Sequence, residues 1–281
     1  MANPLITTLE LAARFGEANL AVVDCRHQLA DTEWGVDAYR AGHIPGAVFA
    51  HLDRDLSGAK TGRNGRHPLP APADFRATLS RLGIGAGVEV VVYDQGDSMM
   101  ASRLWWLLRY YGHASVRVLD GGLAAWEGEG RSLAVGEETR TSVMFTGEPQ
   151  PGWVVEADEL LARWMNAADR VVIDARAPER FRGEVEPIDP VAGRIPGAVN
   201  QPYKANVDLA GRFLSPETLR VRYRELLGAL GPEQAVAYCG SGVSGAHDVL
   251  ALTIAGLPGA RLYPGSWSEW CSDPARPVAR F

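Results

Sequence analysis

A chain that repeats itself once at the scale of a domain can fold in few ways. Here Val171-Val172-Ile173-Asp174-Ala175-Arg176 answers Val22-Val23-Asp24-Cys25-Arg26. Gly193-Arg194-Ile195-Pro196-Gly197-Ala198-Val199 answers Gly42-His43-Ile44-Pro45-Gly46-Ala47-Val48. Both matches lie about 150 residues apart, a period of a domain and not of a solenoid. Val236-Ala237-Tyr238-Cys239 answers Val91-Val92-Tyr93-Asp94, and Pro264-Gly265-Ser266-Trp267-Ser268-Glu269-Trp270 answers Asp120 to Trp126. Four matched blocks in one order indicate an internal duplication. Within each copy, short β-branched apolar runs alternate with helical patterns. That alternation predicts an α/β fold, each copy a mostly parallel sheet with helices on both faces. The expected boundaries are 1–130 for the first domain, 131–152 for a Gly-, Glu-, Thr- and Pro-rich linker, and 153–281 for the second. Helices are expected near Met100–Tyr111 and Glu156–Met165.

In open parallel sheets, reactive groups lie beyond the C-terminal ends of the strands. Tyr93-Asp94 and Tyr238-Cys239 occupy that place in the two copies. After Cys239 come Gly240, Ser241, Gly242, Val243, Ser244 and Gly245, and then a helical pattern through Ile254. A thiol becomes a strong nucleophile only on losing its proton, and an unperturbed cysteine with a pKa of about 8.5 keeps it at pH 7. Successive N–H groups in a Gly/Ser loop can form an anion-binding nest, and a helix N-terminus adds partial positive charge. Both favour a thiolate at Cys239, or an anion carried on its sulfur. The first copy places Asp94 there, and a carboxylate cannot carry sulfur. The second domain is therefore expected to be catalytic and the first to support it.

Composition removes several classes of function. The net charge of −6 gives no basic footprint for nucleic acid. No apolar run reaches the length of a membrane span. The start, Met-Ala-Asn-Pro-Leu-Ile-Thr-Thr, lacks the pattern of a signal peptide. Cys25, Cys239 and Cys271 are too widely spaced for a metal or redox pair, and a reducing cytoplasm is the expected setting.

The paired Ile-Pro-Gly-Ala blocks, the Cys loop in the second copy alone, and the terminal Gly-Ser-Trp-Ser-Glu-Trp block resemble the tandem-domain rhodanese family. The resemblance runs over roughly residues 5–275, nearly the whole chain. Within the family, Cys239-Gly240-Ser241-Gly242-Val243-Ser244 is similar to the form that uses 3-mercaptopyruvate. The thiosulfate-preferring form carries basic residues after the cysteine. The resemblance implies a sulfurtransferase without metal or organic cofactor. Cys239 takes sulfur from 3-mercaptopyruvate or thiosulfate, becomes a persulfide, and passes the sulfur to a thiol, thioredoxin or cyanide. The loop N–H groups of Gly240, Ser241, Gly242 and Val243 hold the anion. Arg182, in Arg180-Phe181-Arg182-Gly183, matches the main substrate arginine. A second arginine expected after a Pro-Glu-Pro block is absent from Glu186-Pro187-Ile188-Asp189-Pro190, and Arg194 is expected to supply its charge. Ser244, His67 and Asp53 match a Ser–His–Asp proton relay drawn from both halves.

Three other readings compete. Thiosulfate:cyanide transfer uses the same cysteine. A non-catalytic persulfide carrier would keep Cys239 without needing Arg182 or the relay. A thiol phosphatase needs an arginine six residues after the cysteine, and Gly245 stands there.

Overall fold

A computed structural model describes residues 3–163 and 169–281. The chain forms two compact units. The first comprises Met1–Gly58, Pro70–Gln150 and Val207–Phe213, and the second Ala59–Leu69, Pro151–Asn206 and Leu214–Phe281. The boundary thus departs from the line of the repeat. A short loop from each half belongs to the unit built mainly by the other.

The first unit holds five strands: β1 (Leu5–Ile6), β2 (Leu20–Asp24), β3 (Ala47–Phe49), β4 (Glu89–Tyr93) and β5 (Val116–Leu119). They pair in the order β1-β5-β4-β2-β3, every pair parallel. Strand β2 is buried along its whole length. This is why it reads as a continuous apolar run and does not alternate. Five helices accompany the sheet: α1 (Thr8–Ala12), α2 (Trp34–Ala41), α3 (Pro72–Arg81), α4 (Met99–Tyr110) and α5 (Gly122–Gly128). Ile6, Val22, Val91, Tyr93, Leu119 and Trp126 share one core. Thr7 caps α1 in a reciprocal box with Glu10.

The second unit repeats this topology. Strands β6 (Val171–Asp174), β7 (Val199–Asn200), β8 (Ala235–Tyr238) and β9 (Arg261–Leu262) pair in parallel in the order β7-β6-β8-β9. Val154 bridges Leu262 on the outer edge, in the place β1 holds beside β5. Helices α6 (Ala157–Arg163), α7 (Pro178–Arg182), α8 (Pro216–Leu227), α9 (Ser244–Ile254) and α10 (Ser266–Trp270) complete the unit. The end expected for the helix Glu156–Met165 lies outside the described residues. Val236, Tyr238, Tyr263, Trp267 and Trp270 form the core.

The two units also repeat one buried polar device. Asp24 pairs with Arg26, which donates to Gly42 O, and Asp174 pairs with Arg176, which donates to Gly193 O. Tyr93 and Tyr238 accept the N–H of Ile44 and Ile195. The strand-end Asp-x-Arg and Ile-Pro-Gly blocks are therefore matched in sequence because they are tied together in space. Residues 131–150 belong to the first unit. Ala134 pairs with His43, Arg140 donates to Leu20 O at 2.7 Å, and Val143 N donates to Ser80 O. Their partners come from elements distant in sequence, so the segment has no period of its own. No helix among the described residues is long and apolar enough to cross a membrane.

Candidate active site

Cys239 follows β8 directly and lies five residues before α9 begins. It is buried, and its Sγ accepts N–H bonds from Ser241 at 3.4 Å and Gly242 at 3.1 Å. The turn is kept tight by Gly242, whose φ is +79° and where a Cβ would stand 2.4 Å from Pro264 O. Val243 is the residue before the first turn of α9 and is also buried. The sulfur thus sits in a nest of two N–H groups near the positive end of an eleven-residue helix.

The Gly-Ser-Trp block holds this loop from behind. Trp267 N donates to Cys239 O and Ser268 N donates to Gly240 O, both at 2.9 Å. Cys239 N donates to Ser266 Oγ at 3.1 Å, and that hydroxyl donates to Tyr263 O. Ser266 has φ +56°, a conformation that costs a side-chain-bearing residue on the order of 1–3 kcal/mol. Gly122 holds the corresponding place in the first unit at the same φ of +56°. The second unit keeps a serine there and gains an acceptor for the cysteine N–H.

The first unit's loop keeps the nest and fills it differently. Asp94 Oδ1 accepts from Gly96 N and Ser98 N, and Oδ2 from Met100 N and Ala101 N. A fixed carboxylate occupies the place that sulfur takes in the second unit.

The loop Ala59–Leu69 belongs to the second unit and brings two side chains to the cysteine loop. His67 is buried, and its Nδ1 lies 2.8 Å from Ser241 Oγ. The hydroxyl on His67 is therefore that of Ser241, and not that of Ser244. Ser244 opens the first turn of α9, while Ser241 lies in the loop two residues after Cys239. Arg66 follows Gly65, whose φ is +84° and where a Cβ would stand 2.7 Å from Gly265 O. Arg66 N donates to Ser268 Oγ, and its guanidinium pairs with Asp189.

Asp53 belongs to the first unit. Its carboxylate lies 3.9 Å from His27 Nε2, and its N–H donates to His51 Nδ1. His27, His51 and Asp53 are near enough to suggest a metal. Yet His51 Nε2 is 3.0 Å from Thr32 O, and His51 Nδ1 already accepts the N–H groups of Asp53 and Arg54. Both ring nitrogens of that histidine are committed to backbone.

The arginines differ from expectation. Arg182 is 47% exposed in its side chain and pairs with Glu184 at 2.7 Å. Arg194 pairs backbone to backbone with Ala279, stacks over Phe181 at 4.6 Å, and donates to Phe281 O. Neither turns to the cysteine loop. Of the arginines in this motif, the one that does is Arg180, whose Nη1 and Nη2 lie 3.5 and 3.6 Å from the point where Gly240 would carry a Cβ. On a helix, residues two apart point to different faces. Arg180 and Arg182 therefore cannot both line one site. Arg180 is held by Glu186 at 2.6 Å and Asp189 at 3.2 Å, and Glu186 also pairs with Arg176. Burial alone would raise Glu186, but hydrogen bonds led by Arg180 outweigh it and keep the carboxyl below its usual range.

Arg66, Arg180, Asp189, Ser266 and Ser268 escaped the sequence reading. The one usable signal was the pair of acids, Glu186 and Asp189, following a Phe flanked by two arginines.

Comparison with known proteins agrees along the whole chain. A family model described as a rhodanese-like domain matches residues 7–129 and again 156–273. A Pseudomonas aeruginosa protein described as a probable 3-mercaptopyruvate sulfurtransferase is 48% identical over 98% of this chain and 97% of its own. A Mycobacterium tuberculosis protein provisionally described as a thiosulfate sulfurtransferase is 42% identical over 98% and 96%. The crystal structure of an Escherichia coli 3-mercaptopyruvate enzyme superimposes with a TM-score of 0.82 at 30% identity, covering 95% of this chain and 99% of that one.

Proposed function

The chain belongs to the rhodanese-like family, carrying the domain twice, and on that premise we propose that it transfers sulfur from 3-mercaptopyruvate through Cys239. The observation that carries this reading is the nested sulfur of Cys239 with the His67–Ser241 pair and the Arg180 guanidinium around one loop. The Cys239 thiolate attacks the donor sulfur. The S–S bond forms as the donor's C–S bond breaks, and its electron pair leaves on the pyruvate enolate. The donor's thiol proton is moved to the enolate carbon, giving pyruvate and a Cys239 persulfide anion. A thiol, thioredoxin or cyanide then attacks the outer sulfur and restores the thiolate, a ping-pong cycle.

Each group has a part in that sequence. The N–H groups of Ser241 and Gly242 hold the negative sulfur before and after transfer. The Ser241 hydroxyl and His67 imidazole move the proton, the imidazole serving as acid and base. Arg180 takes the donor carboxylate in charge-assisted hydrogen bonds. Glu186 and Asp189 keep its guanidinium in place. The cytoplasm suits a cycle that needs a free thiol.

Thiosulfate is the second donor in this reading, supported by the Mycobacterium tuberculosis relative. The test is pyruvate release from 3-mercaptopyruvate with a thiol acceptor, run beside thiosulfate with cyanide. Wild type is expected to prefer 3-mercaptopyruvate, and Cys239→Ser to lose both reactions. A wild type that releases no pyruvate overturns the reading.

A further inference from the structure

We propose that Arg66, held in place by Asp189, is a second guanidinium for the donor carboxylate and sets the preference for α-keto acid donors. This inference rests on the function proposed above and names a residue on which its substrate choice depends.

Four observations lead to it. First, the block Glu186-Pro187-Ile188-Asp189-Pro190, where the resemblance leads one to expect a second substrate arginine to follow, has none and carries an acid, Asp189. The Asp189 side chain is only 3% exposed. A buried carboxylate is costly unless it is paired. Its partners are the guanidinium groups of Arg66 and Arg180. The block without its own arginine thus holds two guanidinium groups from elsewhere through Asp189.

Second, Arg66 is aimed. One end of its guanidinium, Nη1, is on Asp189. The other, Nη2, lies 2.7 Å from the point where Gly240 would carry a Cβ. A side chain at residue 240 would collide with it. Gly240 is not among the glycines at positive φ, so what a side chain there meets first is the Arg66 guanidinium.

Third, the backbone of Arg66 is fixed to the site. Its N–H donates to Ser268 Oγ, and Ser268 N donates to Gly240 O. The next residue, His67, reaches Ser241. One two-residue stretch therefore delivers a cation and an imidazole to the same loop. Fourth, Asp189 bonds Arg66 with Oδ1 and Arg180 with Oδ2, which sets two planar forks side by side. A carboxylate facing Gly240 meets donors from both. Arg66 remains 26% exposed in its side chain and Arg180 16%, so a donor can reach them.

The test compares 3-mercaptopyruvate with mercaptoacetone, which keeps the ketone and thiol and lacks the carboxylate. Arg66→Gln is expected to raise KM for 3-mercaptopyruvate about 10- to 100-fold, the range for a lost charge-assisted hydrogen bond. The kcat/KM for mercaptoacetone should stay near the wild-type value, so the ratio between the donors collapses. Arg66→Lys keeps the charge without the fork and should fall between the two. Should Arg66→Gln fail to fold, as judged by thermal melting, the Lys variant carries the comparison alone. A donor ratio that stays at the wild-type value in the folded variant overturns the proposal. If wild type itself turns over no 3-mercaptopyruvate, the proposed function fails, and that result is distinct from an unchanged ratio.

Discussion

His67 Nδ1 stands 2.8 Å from the hydroxyl of Ser241, two residues beyond the buried Cys239. A hydroxyl and an imidazole in that relation can pass a proton, and only one of the two donors has a proton to pass. 3-Mercaptopyruvate arrives as a thiol and leaves as a methyl ketone, whereas thiosulfate enters and sulfite leaves without proton transfer to carbon. His67→Asn is therefore expected to lower kcat/KM for 3-mercaptopyruvate about 10²- to 10⁴-fold, the usual span for general acid–base catalysis. Ser241→Ala should act in the same direction, and both should spare thiosulfate turnover. Ser244→Ala should leave both reactions near wild type. Equal losses with both donors in steady-state assays would show that the pair only supports the loop.

Arg180 and Arg182 offer a paired contrast two residues apart. Arg180→Ala should raise KM for 3-mercaptopyruvate by about 10- to 100-fold. Arg182→Ala removes an exposed pair with Glu184, a contact of little energetic weight. Its kinetics should match wild type. Donor-saturation curves decide between them, and an effect confined to Arg182 would reverse the assignment.

Thiol labelling should separate the three cysteines. Burial pushes the Cys271 thiol up to about 11 and holds Cys25 well above the usual cysteine range. At pH 8 a thiol with a pKa of 11 is ionised to roughly one part in 10³, and the thiolate is the species that reacts. Iodoacetamide followed by peptide mass spectrometry should place the first label on Cys239. Labelling of Cys271 at the same rate would contradict this.

Asp94 makes a prediction about stability. Burial and the nearby Asp97 push its carboxyl up to about 6, against the pull of the N–H groups around it. The folded chain then binds this proton more tightly than the unfolded chain does. The stability it gives is fully present below about pH 4 and is lost as pH rises through about 6. Set against Asp94→Asn, wild type should lose roughly 1–3 kcal/mol between those limits, about 1.4 for each pH unit separating the two pKa values. Denaturant unfolding across that range provides the measurement, and parallel curves would refute it.

What the sequence made legible follows physical locality. The duplication, the parallel sheets and the place of Cys239 were readable because each is written in a continuous run. Buried strands are apolar runs, and the Gly/Ser loop sits at the end of one. The serine beside His67 and the arginine facing the loop differ from the expectation because motif spacing does not say which face a side chain occupies. Ser241 and Ser244 are three residues apart in the same block, and only the turn at Gly242 decides which hydroxyl His67 meets. Arg180 and Arg182 share a motif and face opposite duties. Arg66 was beyond reach for another reason. Its partner Asp189 is 123 positions away, and nothing local to either residue announces the pair.

The loop 59–69 has a consequence for how such a protein could have arisen. It is encoded in the first half of the chain, yet it belongs to the unit that carries the cysteine. A gene cut at the repeat boundary would give a second half with Cys239, Arg180 and the nest, and without His67 or Arg66. On the function proposed here, the half without Cys239 holds the codons for part of the other half's site.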